Sequence, residues 1–468
     1  MGLDACNMGK GNDLRNDSVL SLVFKLTLPA MLAQLVNVLY GIIDRMFIGH
    51  IPVVGNMALA GVGVCGPITT LLSSFGTLVG IGGSVMMATS MGHGDDERAK
   101  KILSNSFLLL LLFSVTLTVV LLLNKREMIY LFGGSDGTYE FANTYLTIYT
   151  SGTFFALLAL GLNYFISCQG FSVNAMVTVL IGAVTNIVLD AVFVPLLGWG
   201  VGGAAFATVI SQMLSCLYAV LFLFGKKVGV KISFGRYDWR MMLKIILMGI
   251  SPFIILATDS VIVIVINMIL QRYGGAQGDM LISGYTITLS YFLLITGPLF
   301  GISGGVQPII SFNYGADRAD RVKKTVKYAA IMAVIFNSVM FVVSQLFAPG
   351  FVKFFTNDPH TARVAVWGIK VFTISIIPLS FQYVFVDALT ALSKVRISLY
   401  LSASRKITYV ICAFVFASIF GAGESFYAEP VVDLIGGLQC LIVFLVVWKK
   451  HFSKREPHAG GTLEPQTT

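Results

Sequence analysis

The chain has 468 residues, of which 56% are hydrophobic and 12% charged, and a formal charge of +9. A soluble protein carries about twice that charged fraction, so the composition excludes a soluble globular fold and predicts an all-α integral membrane protein. The basic excess does not point to nucleic acid: Lys226, Lys227, Lys231, Arg236 and Arg240, then Arg318, Arg321, Lys323 and Lys324, then Lys449, Lys450, Lys454 and Arg455 all sit in short runs between apolar stretches, the pattern of cytoplasmic loops.

The segment before residue 18 is polar and mixed in charge, and the apolar run after it is too long for a signal-peptide core. That run, 20–48, holds LPAMLAQLVNVLYGIIDRMFIGH. About 28 residues at 1.5 Å each give roughly 42 Å, enough to span a bilayer. Gln34, Asn37, Gly41 and Asp44 share one helical face of it. A membrane helix with an amide stripe ending in an acid is built to face a wet cavity. Further apolar runs predict spans near 57–90, 102–123, 141–167, 173–196, 201–224, 243–270, 281–312, 326–347, 364–392, 397–420 and 426–448, about twelve in all. Most Lys and Arg then fall in loops on the side of the N-terminus, which places both termini in the cytoplasm. The expected organisation is a cytoplasmic segment 1–17, a six-helix lobe 18–225, a basic cytoplasmic linker 226–242, a second six-helix lobe 243–450 and a disordered tail 451–468.

The halves repeat. Pro29 and Pro252 are 223 positions apart, and the same offset relates Gly82 to Gly305, Gly92 to Gly315, Arg98 to Arg321, Lys100 to Lys323, Lys101 to Lys324, Gly198 to Gly421 and Gly200 to Gly423. Six spans return the chain to the same side of the membrane, so the repeats are parallel, about an axis along the membrane normal.

Five carboxylates fall within or at the start of spans: Asp44, Asp190, Asp259, Asp387 and Asp433. Asn186 and Asp190 share a face of span five, and Asp44 and Asp190 both lie toward the outer ends of spans that run outward. Their repeat mates are Asn267 and Ala413, so only the first half has the acid pair. An acid pair out of water can take up a proton, or hold Na⁺ with Asn and Thr oxygens; Asn163 and Thr208 are the further candidates in spans four and six. Asp433, beside Glu429 and Pro430, reads as structural. Of the basic residues, only Lys327 and Lys370 are read as lying near span ends. No GxxxxGK[ST], HExxH, GxSxG or Cys/His cluster occurs, which argues against ATP-driven pumping and against a membrane enzyme. No cofactor is expected beyond H⁺ or Na⁺ as coupling ion.

PAMLAQLVNVLYGIIDRMFIGH, GIGGSVMMATSMGHGD, NIVLDAVFVPLLGWGVGGAAFATVIS and QPIISFNYGA together resemble the multidrug and toxic compound extrusion (MATE) transporters, most closely the bacterial branch whose acids lie in the N-terminal lobe. The resemblance covers nearly all twelve spans. It implies two six-helix lobes around a V-shaped cavity, exchange of H⁺ or Na⁺ for cationic amphipathic drugs, and a cation site lined by Asp44, Asn163, Asn186, Asp190 and Thr208. A Na⁺ there would take Asp44, Asp190 and Asn186. Asp259 and Asp387 echo C-lobe acids of the Na⁺-linked branch, a departure that keeps both ions open. The expected protein is a monomeric alternating-access antiporter of the plasma membrane, its span one bending near Pro29 or Gly41. Its cavity would be lined by Gln34, Asn37, Tyr40, Phe154, Asn267, Met268, Asp259 and Asp387. A flippase for lipid-linked oligosaccharides is the alternative, and its anionic cargo would want basic residues where this chain offers acids.

Overall fold

The structure, a computed structural model, describes residues 12–452 apart from 50, 52, 53, 133, 135 and 357; of the expected tail 451–468 the first two residues are helical, and 453–468 and the first eleven residues lie outside the described part. The first half comprises helices Val19–Gly49 (α1), Gly55–Gly92 (α2), Asp96–Leu131 (α3), Asp136–Ser151 (α4), Thr153–Cys168 (α5), Ser172–Ala191 (α6) and Gly200–Phe224 (α7). The second comprises Trp239–Gly274 (α8), Gly278–Gly315 (α9), Ala319–Val352 (α10), Pro359–Phe372 (α11), Ile376–Ala391 (α12), Val395–Phe420 (α13) and Ala428–Phe452 (α14). Among the described residues no strand occurs. Ten helices among the described residues are long and apolar enough to cross a membrane, and two bent pairs bring the total there to twelve spans if each pair is one.

The fourth span of each half is broken, which the sequence reading took as continuous. The bend is 56° between α4 and α5 and 57° between α11 and α12. Gly152 caps the start of α5 and Ser375, its repeat mate, that of α12. A side chain on Gly152 would press on Val209 of α7, so close packing fixes the residue at the break. Gly198 and its mate Gly421 both adopt positive φ, 68° and 108°, where only glycine is free of strain; this explains one of the repeated glycines.

The halves meet through α1 on α9 and α2 on α8. At the crossings glycines let backbone touch backbone. Gly92 packs on the Phe312 carbonyl and Gly315 on that of Thr89, while Gly82 lies against Gly249 and Gly305 against Leu26 and Thr27. Each contact maps onto its partner by the same offset of 223, so the sequence repeat is a pseudo-twofold in the packing. All lie toward the end of the bundle that carries the basic loops, here the basic face. Nearer the middle, Phe75 and Phe253 make an edge-to-face pair at 4.9 Å, and α9 passes α1 at Gly297, beside Val38 and the backbone of Gln34.

On the basic face the segments leading into α1 and α8 cross between the halves. Arg321 Nη2 donates to the carbonyls of Asp17 (2.7 Å) and Leu14 (3.2 Å), and Arg318 Nη1 to that of Arg15 (2.6 Å), while Asn12 Nδ2 reaches the Gly170 carbonyl at 3.0 Å. The stretch between α7 and α8, the expected basic linker, is folded onto the first half. Val228, Val230 and Ile232 are buried, Ser104 Oγ donates to the Ser233 carbonyl at 2.6 Å, and Lys101 pairs with Asp238 at 2.9 Å. The Lys101 ammonium, with backbone N–H groups of Arg240 and Met241, holds the Asp238 carboxyl below the usual carboxylate range. A depressed acid stabilises the fold above its unfolded value, about pH 4, and loses that contribution as pH falls through the folded one. Asp238→Asn should therefore lower the melting temperature slightly at neutral pH, and the difference from the parent should vanish once both carboxyl states are protonated, which a thermal-melt series across pH checks.

Candidate functional site

The buried acids of the first half meet. Asp44, five residues from the end of α1, and Asp190, at the end of α6, bring their carboxyl groups within hydrogen-bonding range of each other. Asp190 is 0% exposed and Asp44 8%. Neither oxygen of Asp190, nor Oδ1 of Asp44, receives a hydrogen bond from any other group. Two carboxylates that face one another with no donor on three of their four oxygens repel strongly in a medium of low dielectric. A proton or cation between them relieves that repulsion.

The local fold explains why these side chains converge. Asn186 and Asp190 are one turn apart on α6, and α6 continues past Asp190 into a single wide turn, Val192–Leu196, that accommodates Pro195. Such wide turns are frequent at functional sites. Asn186, 1% exposed, donates through Nδ2 to Thr208 Oγ1 of α7 at 3.4 Å, and its own Oδ1 is buried without a partner. Thr208 in turn donates to the Ala204 carbonyl at 3.0 Å. Asn186 Oδ1 and the acid pair thus present oxygens with free lone pairs, the donor type that suits a hard cation such as Na⁺.

Two residues that the sequence reading passed over complete the site. Tyr145 and Tyr149, one turn apart on α4, are buried and stack at 6.0 Å. Tyr145 reaches Thr208, Gln212 Nε2 lies 3.5 Å from the Tyr149 hydroxyl, and Tyr40 of α1 stands beside Tyr149 and both acids. Tyr40 and Tyr145 thus stand beside the acids, with Tyr149 stacked behind Tyr145. Tyrosines are common in membrane spans, and without a depth for α4 nothing in the sequence singled these two out.

Other expected residues lie elsewhere. Asn163 is five residues from the basic-face end of α5, whereas Asp190 is eighteen residues from that end of α6. The difference is about 20 Å along the helices, so Asn163, whose Oδ1 is also buried and unpartnered, is not brought to the pair. Gln34 is half-buried, its backbone carbonyl at the crossing with α9, while Asn37 is exposed. Phe154 packs edge-on against Phe155 at 5.3 Å. Met268 continues the exposed apolar stripe Leu243, Leu247 and Val261 on the outer side of α8 and does not face the site. Asn267, the repeat mate of Asp44, keeps a buried unpartnered Oδ1, but its neighbour by symmetry is Ala413, so no second acid pair forms.

Asp387 lies four residues from the basic-face end of α12, between the halves rather than in an open cavity. It contacts Ser303 and Gln307 and faces Tyr164 of α5, its own repeat mate. A cavity of about 20 Å³ lined by Ser84, Tyr164, Gln307 and Ser311 adjoins it. Asp259 is matched by a cation, Lys406 of α13, and Asp433 is held with Glu429 by Arg405, both at 2.6 Å. Arg405 and Lys406 are basic residues inside a span, which corrects the expectation that only Lys327 and Lys370 lie near the spans.

A protein-family model described as MatE matches residues 29–192 and 254–415, once in each half. The multidrug export protein MepA of Staphylococcus saprophyticus is 25% identical over 435 residues, which cover 92% of this chain and 94% of that protein. Two solved structures share the fold. One is an outward-facing multidrug resistance MATE family transporter of the MOP superfamily, with TM-score 0.87 and 22% identity over 96% of this chain and 99% of that one. The other is a MOP superfamily transporter from Pyrococcus furiosus, with TM-score 0.88 and 21% identity over 94% of this chain and 98% of that one.

Proposed function

This chain belongs to the MATE family of multidrug efflux transporters, multi-pass proteins of the cell membrane, and we propose that it expels organic cations in exchange for inward-moving H⁺ or Na⁺. The observation that carries this reading is the Asp44–Asp190 pair, facing, buried and with no donor on three of its four oxygens. The basic loops mark the cytoplasmic side, so the halves are closed toward the cytoplasm and the pair lies near the outer end of the bundle.

From the outside H⁺ or Na⁺ enters the pair, a first ion halving its charge of two carboxylates and a second cancelling it. An organic cation held by that charge loses its partner and leaves outward. With the charge satisfied, α1 can repack; Gly41, where a Cβ would meet no atom within 4 Å, and Pro29 within the same helix are where it bends. Opening toward the cytoplasm lets the ion leave, and the exposed charge recruits the next substrate. One site that cannot hold both ligands couples the two fluxes. Tyr40 and Tyr145, beside the acids, offer flat faces to a cationic amphiphile. The flippase alternative is not supported: Arg405 and Lys406, the cations an anionic cargo would need, are occupied by carboxylates.

Efflux of ethidium from vesicles holding the purified protein tests the proposal. Efflux should accelerate when a pH or Na⁺ gradient is imposed inward, and the ion whose gradient drives it is the coupling ion. Efflux indifferent to both gradients would remove the exchange mechanism.

A further inference from the structure

In the second half five charges cluster between α8, α13 and α14, all but Asp259 largely buried: Arg405 and Lys406 against Asp259, Glu429 and Asp433. Arg405 is saturated, its guanidinium donating to Glu429 Oε1 at 2.6 Å and to Asp433 Oδ1 at 2.6 and 3.2 Å. Lys406 pairs with Asp259 and also lies near Glu429 and Asp433. With every group ionised the cluster is one positive charge short. The shortfall has an address: Asp433, 0% exposed, keeps Oδ2 buried and without a partner. Asp259 is the open end, its side chain 44% exposed against 18% for Lys406. It lies on the opposite side of α8 from the exposed stripe Leu247, Val261 and Met268, so its free side is turned away from lipid.

We propose that Asp259 is a docking point for the cationic head of an organic cation, and that Lys406 is a tethered cation which the incoming head displaces toward the vacant oxygen of Asp433. Every charge is then matched: the ligand on Asp259, Lys406 on Asp433 and Glu429, and Arg405 where it was. An anion is excluded by the same count, since it would deepen the deficit. Competition with a built-in ammonium keeps affinity modest and release fast. It also favours delocalised, weakly hydrated cations, which give up water more cheaply than Lys406 does.

The site is independent of Asp44 and Asp190, and binding of tetraphenylphosphonium to full-length protein carrying Asp44→Asn and Asp190→Asn separates the two. In that background Lys406→Met should bind the probe about five- to tenfold more tightly, the worth of a partly exposed ion pair. Lys406→Arg keeps the charge but offers Asp259 a firmer, forked partner, and should bind it several-fold more weakly. Asp259→Asn should abolish binding. Unchanged or weaker binding in Lys406→Met overturns the tethered-cation role; should that variant not fold, affinity in Lys406→Arg equal to or tighter than the parent's does the same. Full affinity in Asp259→Asn overturns the site itself.

Discussion

Asp190→Asn and Asp44→Asn should each abolish the gradient-driven part of efflux, a fall of at least ten- to a hundredfold for the loss of a charged partner. The protein should stay folded. Asp190 receives no hydrogen bond from any donor in the structure, so the amide deletes a buried charge without orphaning a partner. Removing an uncompensated buried charge is neutral or stabilising, and the melting temperature of Asp190→Asn should equal or exceed the parent's. A structural role for the pair makes the opposite prediction, a marked drop in melting temperature accompanying the lost transport. The two readouts together distinguish a coupling site from a packing device.

The second large effect concerns the glycines at the closed end. A Cβ on Gly92 would overlap the Phe312 carbonyl, and one on Gly249 that of Leu78. These obstacles are backbone, which cannot rotate aside, so α2 must part from α9 or α8. Overpacking of this kind costs about 1–3 kcal/mol, enough to move a two-state equilibrium by ten- to a hundredfold. Gly92→Val and Gly249→Val should depopulate the state closed at the basic face and cut transport, with faster thiol labelling of Ser311→Cys at the crossing. Gly63→Val is the control on α2: a Cβ there meets nothing within 4 Å, and its labelling should match the parent. Equal labelling across all three glycine variants would show that these contacts do not hold the face shut.

Much of this was legible in the sequence, for reasons that differ by residue. A carboxylate in an apolar run is conspicuous because a membrane penalises it, which is why Asp44 and Asp190 stood out. The offset of 223 was readable because glycines at a pseudo-twofold crossing cannot vary independently: Gly92 and Gly315 perform the same close approach. Depth was where the reading failed. Helical spacing assigns a face but not a height: measured from the basic face along α5 and α6, Asn163 lies about four turns from the acids, while Tyr145, on the other side of the break at Gly152, stands beside Asp44. Met268 failed for a related reason, since apolar residues line cavity and lipid faces alike. Arg405 and Lys406 were in plain view in SASRKITYV; only their carboxylate partners from α8 and α14, distant in the chain, show how a span tolerates two adjacent cations.

The central claim is that the coupling ion and an organic cation exclude one another at Asp44 and Asp190. Ethidium affinity of the purified protein, titrated against pH and Na⁺, measures this directly. The account predicts that affinity weakens as H⁺ or Na⁺ rises, and that the dependence disappears in the Asp44→Asn, Asp190→Asn double variant. An affinity indifferent to both ions in the parent protein, or an ion dependence that survives in the double variant, would contradict it.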